Sequence, residues 1–199
     1  MEDENIVEQI RINRLSKIYG FRFLASGVNG LMQSMAKMLY KQGYLSEMTD
    51  TDKLTGLFNR NFYERWVEVI LAQAERVSIP VSFVMIDMNL LKKTNDTEGH
   101  AAGDRMLKKL ARSLTAHARK SDVAIRLGGD EFLLILWDCD MTNASKVMEK
   151  QLISLEKRDV SFGYGISEWH KGRKLAKVIK EADGLMYEMK RASKKMRKI

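Results

Sequence analysis

Hydrophobic and polar positions fall into two regimes along this chain. From Met1 to about Glu47 the spacing is helical. Leu24, Val28, Leu31, Met35, Met38 and Leu45 lie three, four or seven apart, in a seam interrupted at Gln42. Gly20, Gly27 and Gly30 weaken any single long helix here. Two readings stay open for this segment: a helix packed on its own domain, or a helical dimerisation stalk. The chain divides near residue 50, into an N-terminal helical segment 1–50 and a domain 51–199. In the domain, helical and strand-like patterns alternate. Asn59 to about Val77 reads as a helix, and "VSFVMID" after Pro80 as a buried strand. "EGHAAGDRMLKKLARSLTAHARK" carries Met106, Leu107, Leu110, Leu114 and His117 on an amphipathic helix. "VAIRL" and "FLLILW" flank a Gly-Gly turn and predict a hairpin. Met141 to about Leu155 is a helix, "DVSFGYGISEW" a strand, and Leu175 to about Ala192 a closing helix. The expected fold is α/β in the α+β sense, with a central, mostly antiparallel sheet flanked by helices.

Composition narrows the partners only partly. The chain has 199 residues, 45% apolar and 30% charged, which fits a soluble globular protein. No run of about 18 apolar residues exists, so no membrane span is expected. There is no leader-like start, and a cytoplasmic location follows by default. A single cysteine, Cys139, excludes an intramolecular disulfide, and with no partner and no adjacent base it is not expected to be a catalytic thiol. The net charge of +8 is concentrated in "KRASKKMRKI". A solvated basic tail explains that as well as an anionic partner does. Nucleic-acid binding through the tail would show affinity that falls steeply with salt; no nucleic-acid partner is expected.

The candidate chemistry sits at strand ends. Asp87 closes the first buried strand, and Asp130 and Glu131 sit in the hairpin turn beside Gly128 and Gly129. If the hairpin pairs beside that strand, the carboxylates meet at one sheet edge. Paired carboxylates supply the hard oxygens that Mg²⁺ takes alongside water and phosphate. Two such ions can clamp a transferring phosphoryl group. A plain acidic turn is the competing explanation.

The residues also resemble a known family. "RLGGDEF" is similar to the defining motif of GGDEF domains, the diguanylate cyclases. "DKLTGLFNR", "DMNLLKKTNDTEGHAAGDRML", "VSFGYGIS" and "EADGLMYEMK" follow the family's other motifs in order, from about Asp52 to Lys194. The resemblance implies a palm-like nucleotidyl-cyclase fold and the condensation of two GTP into cyclic di-GMP with release of two pyrophosphates. It implies two Mg²⁺ (or Mn²⁺) per active site, held by Asp87, Asp130 and the Met88 carbonyl. Glu131 matches an acid that either binds metal or activates the 3′-hydroxyl. Gly128 and Gly129 match the glycines that make room for the nucleotide, and Asn95 and Asp104 the guanine readers. Lys92, Lys190 and the main-chain amides near Asn89, Leu90 and Leu91 match phosphate contacts. A carboxylate at Asp104 suits guanine's N1–H and N2–H donors, which adenine lacks. Because each domain holds one GTP, the resemblance also implies a homodimer.

The chain departs from the family at Asn89, where Asp is frequent, and at Leu91, where Phe is frequent. "SKK" replaces the family's "GRN", so a phosphate-binding arginine falls on Lys194, which keeps the charge and loses the bidentate fork. Upstream, "RKSD" places Arg119 and Asp122 in an R-x-x-D pattern, with Asp122 six residues before Gly128. In the family this offset marks a product-inhibition site, with Arg126 assisting; the pattern by itself also fits a helix-end ion pair. Asp52, Thr55 and Asn59 are expected to cap and orient the first helix. The alternative function is a GGDEF domain without turnover that serves as a receptor for cyclic di-GMP or GTP.

Overall fold

The computed structural model describes residues 50–156 and 160–196. The expected N-terminal helical segment lies outside the described residues, as does the side chain of Lys194. The described elements run β1 (Phe58–Asn59), α1 (Arg60–Val77), β2 (Val81–Met88), α2 (Leu91–Glu98), α3 (His100–His117), β3 (Val123–Gly128), β4 (Glu131–Trp137), α4 (Met141–Glu156), β5 (Phe162–Trp169) and α5 (Leu175–Met196). They form one five-stranded sheet in the order β1-β3-β4-β2-β5. Every pairing is antiparallel except that of β1 with β3. The α+β expectation is therefore met.

The alternation of side chains sorts β2 between two helical layers. Val84, Ile86 and Met88 face a core shared with Leu107, Leu110 and Leu114 of α3 and with Ala144 and Met148 of α4. Phe83, Met85 and Asp87 point to the opposite face by the two-residue period. There α5 packs so closely on β5 that a Cβ on Gly165 would lie 2.0 Å from the Ala182 carbonyl oxygen. β2 is buried from Val81 to Ile86, and its exposure rises only at Asp87. One polar side chain in this run, Ser82, is satisfied by donating to the Cys139 carbonyl at 2.8 Å. The sheet thus carries an apolar middle and one chemically open end.

Local signals explain most boundaries. Asn59 caps α1, its side chain accepting from the Phe62 amide at 3.1 Å. Ser78 ends that helix in the left-handed conformation. Two features differ from the sequence reading. The stretch after Asp87 contains a separate short helix, α2, in which no residue is buried. Its sequence, "LKKTNDTE", has no apolar stripe, so periodicity could not reveal it. The long amphipathic pattern accordingly starts at His100 rather than before it, and His117 lies exposed at its end. Phe58–Asn59 forms a two-residue strand that local pattern does not separate from the helix it precedes.

Candidate active site

The hairpin brings the predicted acids together. Asp87 of β2 is the cross-strand partner of Glu131 on β4, and on its other side it faces Gly163 of β5. Residues directly opposite in an antiparallel ladder project from the same face. Asp87, Glu131 and Gly163 therefore form one row across three strands, on the α5 face. The Met88 amide donates to the Asp130 carbonyl at 3.0 Å, which pins the hairpin tip to the end of β2. The ladder between β3 and β4 shifts register between Arg126 and Gly128. Gly128 (φ 150°) and Gly129 (φ 53°) make the turn, in conformations that side-chain-bearing residues rarely adopt, and the space a Cβ would fill is open.

An electrostatic strain marks the row. The carboxyl of Asp87 is held above its usual range by burial, and the like charge of Asp130 adds to that rise; Lys190 opposes it. Lys190 Nζ lies 2.5 Å from Asp87 Oδ1. This contact is a short ion pair to a carboxylate oxygen that is itself buried. Lys190 reaches across from α5 because its Cγ lies where a Cβ on Gly163 would come within 2.4 Å. Among the described residues, no group of three or more acids, histidines or cysteines is gathered as a metal cage. Yet the donor set fits a hard divalent cation. It offers a buried carboxylate oxygen on Asp87, the like charge of Asp130, which one lysine only partly offsets, and Glu131 opposite in the ladder.

The other predicted contacts surround this edge. Leu90 takes a left-handed conformation (φ 65°) and is half exposed, and it opens α2 with no side-chain cap. The first amides of α2 thus form an uncapped helix N-terminus, a favourable place for phosphate. Asn89 does not contribute there. Its amide donates to the Ser161 carbonyl at 2.8 Å, and its side chain donates to the Ser161 hydroxyl at 2.9 Å. The amides left for a phosphate therefore begin at Leu90. Lys92 is exposed on the same first turn. Asn95 sits over Gly103, where an added Cβ would meet Asn95 Oδ1 at 2.0 Å, and that oxygen is buried without a partner. Gly103 directly precedes the half-buried Asp104 on α3, so α2 packs against the turn of α3 that carries Asp104.

Arg126 has a role that sequence spacing did not assign. Its guanidinium donates to both carboxylate oxygens of Asp52, at 3.1 and 3.2 Å, and to the Gly129 carbonyl at 3.1 and 2.7 Å. Arg60 adds a bond to the Leu127 carbonyl at 3.1 Å. Two arginines thus brace the turn from behind. Burial alone would raise the Asp52 carboxyl, but the Thr55 hydroxyl and amide and the Arg126 guanidinium outweigh it and hold Asp52 below its usual range. Asp52 therefore organises both its own turn and the hairpin. In the R-x-x-D segment, Arg119 is exposed between α3 and β3. One carboxylate oxygen of Asp122 accepts from the Trp137 amide at 3.2 Å. Trp66, Trp169 and Cys139 are buried, as packing residues; His100 is exposed at the start of α3.

Comparison with known proteins converges on this arrangement. Residues 49–196 match the family model described as "Diguanylate cyclase, GGDEF domain". The probable diguanylate cyclase DgcJ of Escherichia coli strain K12 is 36% identical over 141 residues, which cover 69% of this chain and 28% of that protein. Diguanylate cyclase DgcS of Shewanella oneidensis is 28% identical over 169 residues, covering 81% of this chain and 56% of DgcS. The chain thus spans less than two thirds of either relative. Among solved structures, the GGDEF domain of DgcB from Caulobacter crescentus in complex with c-di-GMP superposes with a TM-score of 0.69 at 25% identity, covering 72% of this chain and 91% of that one. The five-stranded sheet and its flanking helices are the palm-like arrangement of those neighbours.

Proposed function

Because the chain belongs to the GGDEF domain family of diguanylate cyclases, we propose that it condenses two GTP into cyclic di-GMP and two pyrophosphates. One observation carries this reading: Asp87, Asp130 and Glu131 share a sheet edge beside the uncapped start of α2. The c-di-GMP held by the related DgcB domain supports the choice of product.

Asp87, Asp130, the Met88 carbonyl and Glu131 are the groups we assign to Mg²⁺ or Mn²⁺, two per site. When bound, the ions neutralise charge on the reacting phosphates. The chain's own residues do the rest. Asn95 and Asp104 read the guanine, and Asp104 rejects adenine because its carboxylate would be left without donors. The amides of Leu90 and Leu91, with Lys92, Lys190 and Lys194, hold the triphosphate. Gly128 and Gly129 leave the turn open to the nucleotide. Each 3′-hydroxyl attacks the α-phosphorus of the other GTP; the new P–O bond forms as pyrophosphate leaves, and Glu131 serves either as a cation ligand or as the acceptor of the hydroxyl proton. Positioning and charge neutralisation carry the catalysis.

One domain holds one GTP, so the reaction requires two copies facing each other, and the functional unit is a homodimer. Residues 1–47 raise the effective concentration of the second domain. Deleting them lowers activity per domain at micromolar protein; full activity in the truncated chain would overturn this. The R-x-x-D spacing of Arg119 and Asp122 supports inhibition by product, and initial rates should fall when cyclic di-GMP is added. Incubation with GTP and Mg²⁺, followed by mass identification of the product, tests the main reading. Cyclic di-GMP from the wild type and none from Asp130→Ala is the expected pair of results; nucleotide binding without turnover would make the chain a receptor instead.

A further inference from the structure

We propose that Lys190 is an exchangeable counter-ion: it neutralises Asp87 while no divalent cation is present, and is released to the nucleotide's phosphates when the cation arrives. The inference rests on the assignment of the cation to Asp87 above and extends it to the order in which charges reach the site.

Three observations carry it. First, Lys190 Nζ lies 2.5 Å from Asp87 Oδ1, with both side chains largely buried, at 18% and 16% exposure. The ammonium therefore stands where a cation on that oxygen would stand. Second, the path across β5 exists because residue 163 has no side chain. A Cβ on Gly163 would meet Lys190 Cγ at 2.4 Å and Cδ at 3.3 Å. Gly163 is also the cross-strand partner of Asp87, so the gap in the side-chain row opens onto the acid itself. Third, the lysine is placed but not locked. An ammonium on a flexible stem makes a point-charge contact, without the fixed fork of a guanidinium, and is easily redirected.

The exchange follows from charge. A divalent cation on Asp87 repels the ammonium at once, and the phosphates of a bound nucleotide are the nearest alternative. Lys190 is then a positioning residue that couples the two ligands. It competes with the metal alone and favours metal and nucleotide together, and such coupling is reciprocal.

Mn²⁺ binding without nucleotide, measured by calorimetry or by the loss of the free-ion EPR signal, tests the idea. Lys190→Met keeps the apolar stem and removes the charge, and should bind Mn²⁺ roughly three- to tenfold more tightly than wild type, the worth of one partly screened ion pair. Gly163→Ala keeps the charge but displaces the stem, and should also tighten Mn²⁺ binding. Adding a non-hydrolysable GTP analogue should raise the Mn²⁺ affinity of wild type more than that of Lys190→Met. Unchanged or weaker Mn²⁺ binding in a folded Lys190→Met protein overturns the exchange; Lys190→Gln serves the same purpose if the methionine variant does not fold. Asp87→Asn separates the two levels. If it binds Mn²⁺ as wild type does, the metal assignment itself is wrong. If it loses Mn²⁺ while Lys190→Met matches wild type, only the exchange fails.

Discussion

Two arginine–carboxylate pairs of this domain differ in kind from the lysine pair at Asp87. Asp52 is gripped by Arg126, and Glu181 by Arg173. Each arginine also donates to a backbone carbonyl, Arg126 to Gly129 and Arg173 to Glu168. Each acid has a hydroxyl donor besides, from Thr55 and Ser167 respectively. Both carboxyls are held below their usual range, Glu181 by hydrogen bonds from Arg173 and Ser167, and Asp52 by its bonds outweighing burial. Asp87 is the opposite case: partial burial and the like charge of Asp130 shift it upward despite Lys190. A planar guanidinium with a carbonyl to brace is a fastening. A lone ammonium beside crowded acids is a place-holder. The contrast separates the two arginine pairs, which brace the fold, from the lysine pair at the proposed cation site.

Breaking the place-holder end should cost the most activity. Asp87→Ala is expected to lower the rate of cyclic di-GMP formation on the order of a thousandfold or more, since it removes charge-stabilising machinery; circular dichroism should show an intact fold. If product formation falls less than tenfold, Asp87 does not hold the reacting assembly.

Loosening a fastening should cost less. Arg126→Ala leaves every proposed metal and GTP contact in place but frees the Gly129 carbonyl and the Asp52 carboxylate. We expect a loss of roughly ten- to a hundredfold in kcat, as for misplacement of a positioned group, with partial recovery in Arg126→Lys. Equal loss in both variants would mean that the planar fork itself is needed, and no loss would remove Arg126 from the support of the turn.

The smallest effect sharpens the comparison through pH. A carboxyl raised in the folded state stabilises the fold only while protonated, and that contribution is lost as pH rises through its folded value. Asp87→Asn should therefore raise the melting temperature of the metal-free protein at neutral pH, and the gain should vanish near and below the ordinary value of 3.8. Glu181 carries the reverse sign. Its contribution is present above its ordinary value of 4.5 and disappears as pH falls through its lowered folded value. Glu181→Gln should accordingly lower the melting temperature slightly at neutral pH and not in acid. Shifts of the same sign in the two variants would erase the distinction between them.

Several elements could be read directly from the chain. β2, the Gly-Gly hairpin, α1 and α4 follow from periodicity and turn chemistry, and Asp87 and Asp130 are neighbours as soon as the hairpin is placed beside β2. What escaped has physical reasons. α2 buries nothing, so no stripe marks it. Arg126 and Asp52 lie 74 positions apart, and no local spacing rule joins them. Asn89 looks like a phosphate-loop residue by position, but its amide and side chain are spent on Ser161. The role of Gly163 had a weak signal: glycines at 163 and 165 fall on one face of a strand, the pattern of a helix pressed close above it.

Gly163 has a consequence for how this domain can vary. Its lack of a side chain matters through the stem of Lys190, so positions 163 and 190 behave as one genetic unit. Alanine at 163 should be far better tolerated when residue 190 is short than when it is lysine, a case of epistasis between a strand and a helix that a double-mutant cycle would register as non-additivity. Lineages that shorten residue 190 would then be free to fill position 163, and lineages that keep the lysine would not.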